Sequence, residues 1–208
     1  MTICLFGDSI TYGLYDAEGG WATRLAREVN KFNPDTYKDT LIYNLGVLGD
    51  NTHTLLERFD TEISVRTRSD KEIAVLFSIG TNDSLFVYDK NESQVPLAIF
   101  KENLRKLIEQ TRKFTDKIAF TGLLSVNDSI LNPIPWHKEG AYKTEYVEKY
   151  DKVTEEVTKS EGVVFISLKS FSDGDWKSLL TDGVHPNDRG HAMIAKIIGE
   201  DLRNRSWI

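Results

Sequence analysis

Residues 2–11 read TICLFGDSIT, an apolar run that ends at Gly7 and is followed at once by polar residues. A short run that is apolar almost throughout is typical of a strand covered on both faces of a sheet. Similar runs recur along the chain, so we predict five strands: Thr2–Phe6, Thr40–Asn44, Ile73–Ile79, Lys117–Leu124 and Val163–Leu168.

Between the runs, apolar residues recur every three or four positions, as on one face of an α-helix. Alternating strands and helices predict an α/β fold with βαβ units, a parallel sheet and right-handed crossovers. We expect one domain over residues 1–208, because no repeat or polar linker divides the chain. The predicted helix faces are Trp21, Leu25, Val29 and Phe32; Leu55, Leu56, Phe59 and Ile63; Leu97, Phe100, Leu104, Leu107, Ile108 and Phe114; Tyr142, Tyr146, Tyr150, Val153 and Val157; and Ala192, Ile194, Ala195, Ile197 and Ile198.

The composition excludes several classes of partner and site. The formal net charge is −6, whereas binding to nucleic acid needs clustered Lys and Arg. Cys4 is the only cysteine, which rules out an intramolecular disulfide or a multi-cysteine metal site. No window is apolar enough for a membrane span and the N-terminus lacks signal-peptide features, so we expect a cytoplasmic protein. The oligomeric state is not predicted.

Polar clusters follow the first three predicted strands, at 7–11, 44–50 and 80–83, and a fourth lies at 182–186. In parallel sheets the working site lies beyond the carboxyl ends of the strands, which is where the first three clusters fall. The longest irregular stretch is 125–140, a length that indicates a functional or mobile loop.

These clusters together contain the parts of a serine hydrolase. Ser9 offers a hydroxyl at a strand-to-helix turn, and His185 with Asp182 offers an imidazole base and the carboxylate that orients it. Backbone amides in the glycine loops and an Asn side-chain amide offer donors for an oxyanion. His185 is one of four histidines, which makes its place near Asp182 informative.

Each cluster alone is also ordinary turn composition, and two other functions remain open. One is a non-catalytic flavodoxin-like binding module whose first loop holds a phosphate or flavin. The other is a metal-dependent phosphoesterase that uses Asp8, Asp83 and His185. We interpret Asp8 and Asp83 as helix caps or loop braces and predict no metal site.

The four clusters, in this order, resemble the blocks of the GDSL or SGNH hydrolases. The resemblance extends from Gly7 to the helix after His185 and implies a flavodoxin-like three-layer α/β/α sandwich with a five-stranded parallel sheet. The Gly-Asp-Ser block ends at Ser9, which implies that Ser9 is the nucleophile and that its amide joins the oxyanion hole. The family's Asp-x-x-His block corresponds to Asp182 and His185.

The two middle blocks imply the remaining oxyanion donors. The Asn-x-Gly-x-x-Gly block runs from Asn44 to Gly49, and we assign its donor to Gly49, with Gly46 as the alternative. The Gly-x-Asn-Asp block implies that Asn82 donates from its side chain. Gly-x-Ser-x-Gly is absent because Thr11 replaces the second glycine, which argues against the α/β-hydrolase fold.

The resemblance implies an esterase or acylhydrolase that needs no cofactor and acts on a small-molecule ester. Family members include lipid esterases, thioesterases and carbohydrate acetylesterases, and these motifs do not distinguish them. No long hydrophobic lid is visible in the sequence, which favours short-chain acyl or O-acetyl groups.

Overall fold

The structure, a computed structural model, describes residues 1–30, 40–67 and 71–208. Five of the strands in these residues form one parallel sheet in the order β2-β1-β3-β6-β8. Three two-residue strands form a small antiparallel sheet in the order β5-β4-β7. The strands are β1 (Thr2–Gly7), β2 (Leu41–Gly46), β3 (Ile73–Ser78), β4 (Phe86–Val87), β5 (Glu92–Ser93), β6 (Ile118–Thr121), β7 (Gly140–Ala141) and β8 (Val164–Ile166).

Helices cover both faces of the parallel sheet. The α-helices are α1 (Ser9–Tyr12), α2 (Gly20–Val29), α3 (Thr52–Ser64), α4 (Leu97–Arg112), α5 (Thr144–Glu161) and α6 (Asp188–Asn204). Helix α2 packs against α6 on one face, and α4 packs between α3 and α5 on the other. This confirms the predicted three-layer α/β/α sandwich.

The side chains of β1 show why its sequence is apolar throughout. Ile3 and Leu5 belong to the core on the α2 and α6 face, whereas Cys4 and Phe6 belong to the core on the opposite face. Alternate residues of a strand point to opposite faces, so a strand between two helical layers needs apolar residues at every position.

The predicted strands agree with the observed ones to within three residues at each end. The predicted face beginning at Tyr142 is wrong at its start, because α5 begins at Thr144 and Tyr142 lies in the segment after β7. Helix α1 and the small antiparallel sheet were not predicted. Phe32 lies outside the described residues.

The sheet brings the first three polar clusters to one level. Gly7 pairs with Gly46 of β2 and with Ser78 of β3, so the loops that follow these strands start side by side. The irregular stretch 125–140 packs beside them, where its Val126 and Leu131 share a small core with Val184. No helix in the described ranges is long and apolar enough to cross a membrane.

Candidate active site

Ser9 is the first residue of α1, directly beyond β1. Asp8 caps this helix, because its Oδ1 accepts the Ile10 N–H at 2.9 Å. A Cβ at Gly7 would collide with the Ser78 carbonyl oxygen and the Thr11 hydroxyl, so the turn requires glycine there. Ser9 itself is 7% exposed. The turn therefore presents a hydroxyl at the carboxyl end of the sheet.

The Ser9 hydroxyl is hydrogen-bonded to His185, and His185 is hydrogen-bonded to Asp182. Ser9 Oγ lies 2.9 Å from His185 Nε2, and His185 Nδ1 lies 2.7 Å from Asp182 Oδ2. The other carboxylate oxygen, Oδ1, accepts the backbone N–H groups of Val184 at 3.1 Å and of His185 at 2.9 Å. The structure thus brings together three residues that the sequence analysis selected from opposite ends of the chain.

The Asp182 carboxylate determines which nitrogen of the His185 ring carries the proton. Burial alone would raise the pKa of Asp182, but hydrogen bonds from His185 and Val184 outweigh burial and lower the pKa below its ordinary value. An ionised carboxylate only accepts hydrogen bonds, so the neutral imidazole donates from Nδ1. Nε2 is then an acceptor, directed at the Ser9 hydroxyl.

Asn82 lies in the loop after β3, and its side-chain amide is held at both ends. Nδ2 donates to the Asp50 carbonyl oxygen at 2.8 Å, and Oδ1 accepts the Tyr142 hydroxyl proton at 2.7 Å. One Nδ2 hydrogen is left over, because an amide nitrogen carries two. Tyr142 was missed in the sequence analysis, since it is 60 residues from Asn82.

The two glycines considered as backbone donors differ in their hydrogen bonding. The Gly46 N–H already donates to Asn44 Oδ1 at 3.0 Å. Among the described residues, none accepts the Gly49 N–H, and Gly49 has a left-handed φ of 77° with open space around it. The geometry favours Gly49 as the free donor. The loop that contains Gly49 lies against the turn before Ser9, because the Val47 N–H donates to the Gly7 carbonyl oxygen at 2.9 Å.

An ion pair between Arg58 of α3 and Asp50 stabilises this loop. Arg58 donates to Asp50 Oδ2 from Nε at 2.9 Å and from the guanidinium NH2 at 2.7 Å, and Asp50 is 4% exposed. The same NH2 group donates to the Leu45 carbonyl oxygen at 2.9 Å. Arg58 was also missed, because eight residues separate it from Asp50 and no local motif links them.

Asp8 and Asp83 are buried carboxyls, and burial raises their pKa values to about 6 and about 7. Asp83 accepts the backbone N–H and the hydroxyl proton of Thr52 at the start of α3. Both side chains therefore act as helix-end acceptors, as interpreted from the sequence. Within the described ranges, no three His, Cys, Asp or Glu side chains form a group suited to a metal ion.

Two further aromatic side chains lie in the loop between α1 and α2 or contact it. His191 of α6 is fully buried, and its Nδ1 accepts the Trp21 N–H while Nε2 donates to the Leu14 carbonyl oxygen. Burial lowers the pKa of His191, so this histidine is neutral and braces the loop before α2. Tyr15 in that loop has a left-handed φ of 66°, and its half-exposed ring contacts the His185 ring edge-on at 5.6 Å.

The chain is similar in sequence to known esterases and acylhydrolases. The sequence matches the model of the GDSL-like Lipase/Acylhydrolase family over residues 5–193. It is 27% identical over 203 residues to the isoamyl acetate-hydrolyzing esterase 1 homolog of Rattus norvegicus, which covers 92% of this chain and 77% of that protein. It is also 27% identical over 144 residues to the acetylxylan esterase of Xylanibacter ruminicola, covering 64% of this chain and 29% of that protein.

A solved structure with a similar fold is the lipase/acylhydrolase from Enterococcus faecalis. The two structures superpose with a TM-score of 0.77 at 22% sequence identity, and the match covers 98% of this chain and 96% of that chain. At this identity the likeness concerns the fold, which is the same three-layer arrangement.

Proposed function

The chain belongs to the GDSL-like Lipase/Acylhydrolase family and is a carboxylic ester hydrolase, and we propose that it works through a Ser9–His185–Asp182 triad in one domain. The observation that carries the proposal is the unbroken hydrogen-bonded chain from Ser9 Oγ through both imidazole nitrogens to Asp182. A nucleophile, its base and an orienting carboxylate in contact are the functional core of a serine hydrolase. No observation of comparable weight favours the binding-module or phosphoesterase alternatives.

The mechanism has two halves. His185 Nε2 takes the Ser9 proton as Oγ attacks the ester carbonyl, and Asp182 stabilises the resulting imidazolium. The carbonyl oxygen becomes an oxyanion, which the Ser9 and Gly49 amides and the free Asn82 Nδ2 hydrogen stabilise. The alcohol leaves with the proton from His185. Water then attacks the acyl-enzyme with His185 again as base, which releases the acid and frees Ser9.

We propose short-chain acyl esters, and acetyl esters first among them, as the substrates. The names of both relatives describe acetyl esters, although one alcohol is a branched alkyl group and the other a polysaccharide. Tyr15 beside His185 and Leu48 beside Gly49 are half-exposed, so apolar contacts are available next to the scissile bond.

The experiment that tests the proposed function is a series of p-nitrophenyl esters from acetate to palmitate. We expect kcat/KM to be highest for acetate or butyrate and roughly tenfold or more lower for octanoate, since pocket size discriminates by this order. Acetylated xylo-oligosaccharides and isoamyl acetate, assayed alongside, compare the two kinds of alcohol. Ser9→Ala provides the background rate, and a kcat/KM that rises with chain length would contradict the acyl preference.

Removing the Asn82 side chain tests the oxyanion hole. Because an amide donor that meets the oxyanion mainly in the transition state affects kcat, Asn82→Ala should lower kcat by roughly 10²–10³-fold and leave KM almost unchanged. The measurements are kcat, KM and the thermal midpoint on p-nitrophenyl acetate.

Asn30→Ala is the matched control for this substitution. Asn30 also holds a backbone group, accepting the Ile42 N–H at 2.9 Å, but it lies away from the site. Its loss should lower the midpoint without changing kcat. The same outcome for Asn82→Ala would reduce Asn82 to a structural residue.

A further inference from the structure

We propose that Tyr142 is a positioning residue, whose hydroxyl holds the Asn82 amide in the orientation from which that amide donates to the oxyanion. This inference deepens the proposed function and rests on the oxyanion role assigned to Asn82. Tyr142 lies outside the four sequence clusters and enters the site only through the fold.

The hydrogen bonds determine the direction of every donor in this arrangement. The Asp50 backbone carbonyl oxygen can only accept, so the atom of the Asn82 amide that faces it is Nδ2. The atom that faces Tyr142 is then Oδ1, and the phenolic hydroxyl has to donate to it. The contact with Asp50 therefore fixes the orientation of the Asn82 amide, and with it the direction of the Tyr142 hydrogen bond. In the reversed orientation, Asn82 Oδ1 would face the Asp50 carbonyl oxygen, and both atoms are acceptors.

The position of the Tyr142 side chain is fixed by burial, by a backbone hydrogen bond and by packing. It is 7% exposed, and its backbone N–H donates to the Leu131 carbonyl oxygen at 3.1 Å. Its ring packs in the small core with Leu85 and Val184, next to His185 in sequence. Burial raises the pKa of the hydroxyl above its ordinary value, so Tyr142 remains a donor over the working pH range.

The catalytic consequence concerns the remaining Nδ2 hydrogen. Rotation of an asparagine amide about its last side-chain bond is broad when nothing holds it. With Oδ1 bound to Tyr142 and one Nδ2 hydrogen bound to Asp50, the planar amide leaves its second Nδ2 hydrogen in one direction. A donor that is already oriented stabilises developing charge without reorganising during the reaction. Hydrogen bonding at Oδ1 also polarises the N–H group.

The test is a double-mutant cycle with Tyr142→Phe and Asn82→Ala, measured on p-nitrophenyl acetate. Because one hydrogen bond is lost, Tyr142→Phe should lower kcat roughly 5- to 20-fold with KM almost unchanged. In the Asn82→Ala background the same substitution should change kcat by less than about twofold, since the residues act as one unit. Active-site titration with a fluorophosphonate expresses kcat per folded site, whatever the stability of the variant.

Tyr150→Phe is the matched control. Tyr150 is also buried, and its hydroxyl donates to the Val95 carbonyl oxygen and makes no hydrogen bond with Asn82. Both Phe variants lose a buried hydroxyl contact and should have lower thermal midpoints, but only Tyr142→Phe should lower kcat.

The outcomes separate this inference from the proposed function. An unchanged kcat in Tyr142→Phe, a rise in KM alone, or an equal loss in both backgrounds would overturn the positioning role while leaving Asn82 as a donor. If Asn82→Ala itself leaves kcat unchanged, the oxyanion assignment fails and the role of Tyr142 fails with it.

Discussion

Replacing Ser9 by Ala is expected to lower kcat by roughly 10⁶-fold, the loss that follows removal of one member of a cooperative triad. Without Oγ no acyl-enzyme forms. The remaining rate comes from direct attack of water on the ester, which the oxyanion donors can still assist. The substitution removes one oxygen from a residue that is 7% exposed, so the fold and the thermal midpoint should change little.

Covalent labelling identifies the nucleophile independently of rate measurements. A fluorophosphonate should modify the wild-type protein at one residue, and peptide mapping should place the adduct on Ser9. Ser125→Ala is a suitable control, because Ser125 Oγ contacts the Ser172 hydroxyl at 2.7 Å and no imidazole. That variant should label and turn over like the wild type. An adduct on another residue, or labelling that persists in Ser9→Ala, would refute the assignment.

Replacing His185 by Ala should reduce kcat about as much as replacing Ser9, because in the part of the chain that the structure describes only His185 Nε2 is hydrogen-bonded to Oγ. Asp182→Ala should cost less, roughly 10⁴-fold, since an imidazole without its carboxylate can still reach Ser9 but loses its preferred tautomer. The loss has a structural part as well, because Asp182 accepts the Val184 and His185 N–H groups that close the turn.

Steady-state rates and thermal midpoints of both variants, measured together, separate these effects. His53→Ala serves as the control, because its imidazole is 70% exposed on α3 and should be dispensable. If Asp182→Ala proved more damaging than His185→Ala in folded protein, another residue would have to be the base.

The local parts of the candidate site, the turn at Ser9 and the pair of Asp182 and His185, could be predicted from the sequence. Gly7, Asp8 and Ser9 form a turn whose three positions have distinct requirements: no Cβ, a helix-capping oxygen and the hydroxyl. Asp182 and His185 are three residues apart, close enough for one turn to place their side chains in contact. The helix caps at Asp8 and at Asn51 likewise follow from local chemistry, because each side chain accepts the N–H of the residue two positions on.

The supporting contacts could not be predicted, because no local motif links the residues that each contact joins. The bond between Tyr142 and Asn82 depends on where the segment after β7 meets the loop after β3. The strands β4, β5 and β7 that shape this region have two residues each, too short to show a period of two. The helical spacing of Tyr142 with Tyr146 and Tyr150 even suggested the wrong element for Tyr142.

The sequence by itself determined the α/β layering and the five parallel strands, and it predicted Ser9, Asp182 and His185 as site residues, since apolar runs and short motifs encode local preferences. Only the tertiary structure shows that Asn44 Oδ1 already accepts the Gly46 N–H, whereas no described residue accepts the Gly49 N–H. It also decided what holds Asp50 and Asn82 in place. Hydrogen bonds across tens of residues depend on the register of the sheet and the packing of loops on it, and no single segment specifies either.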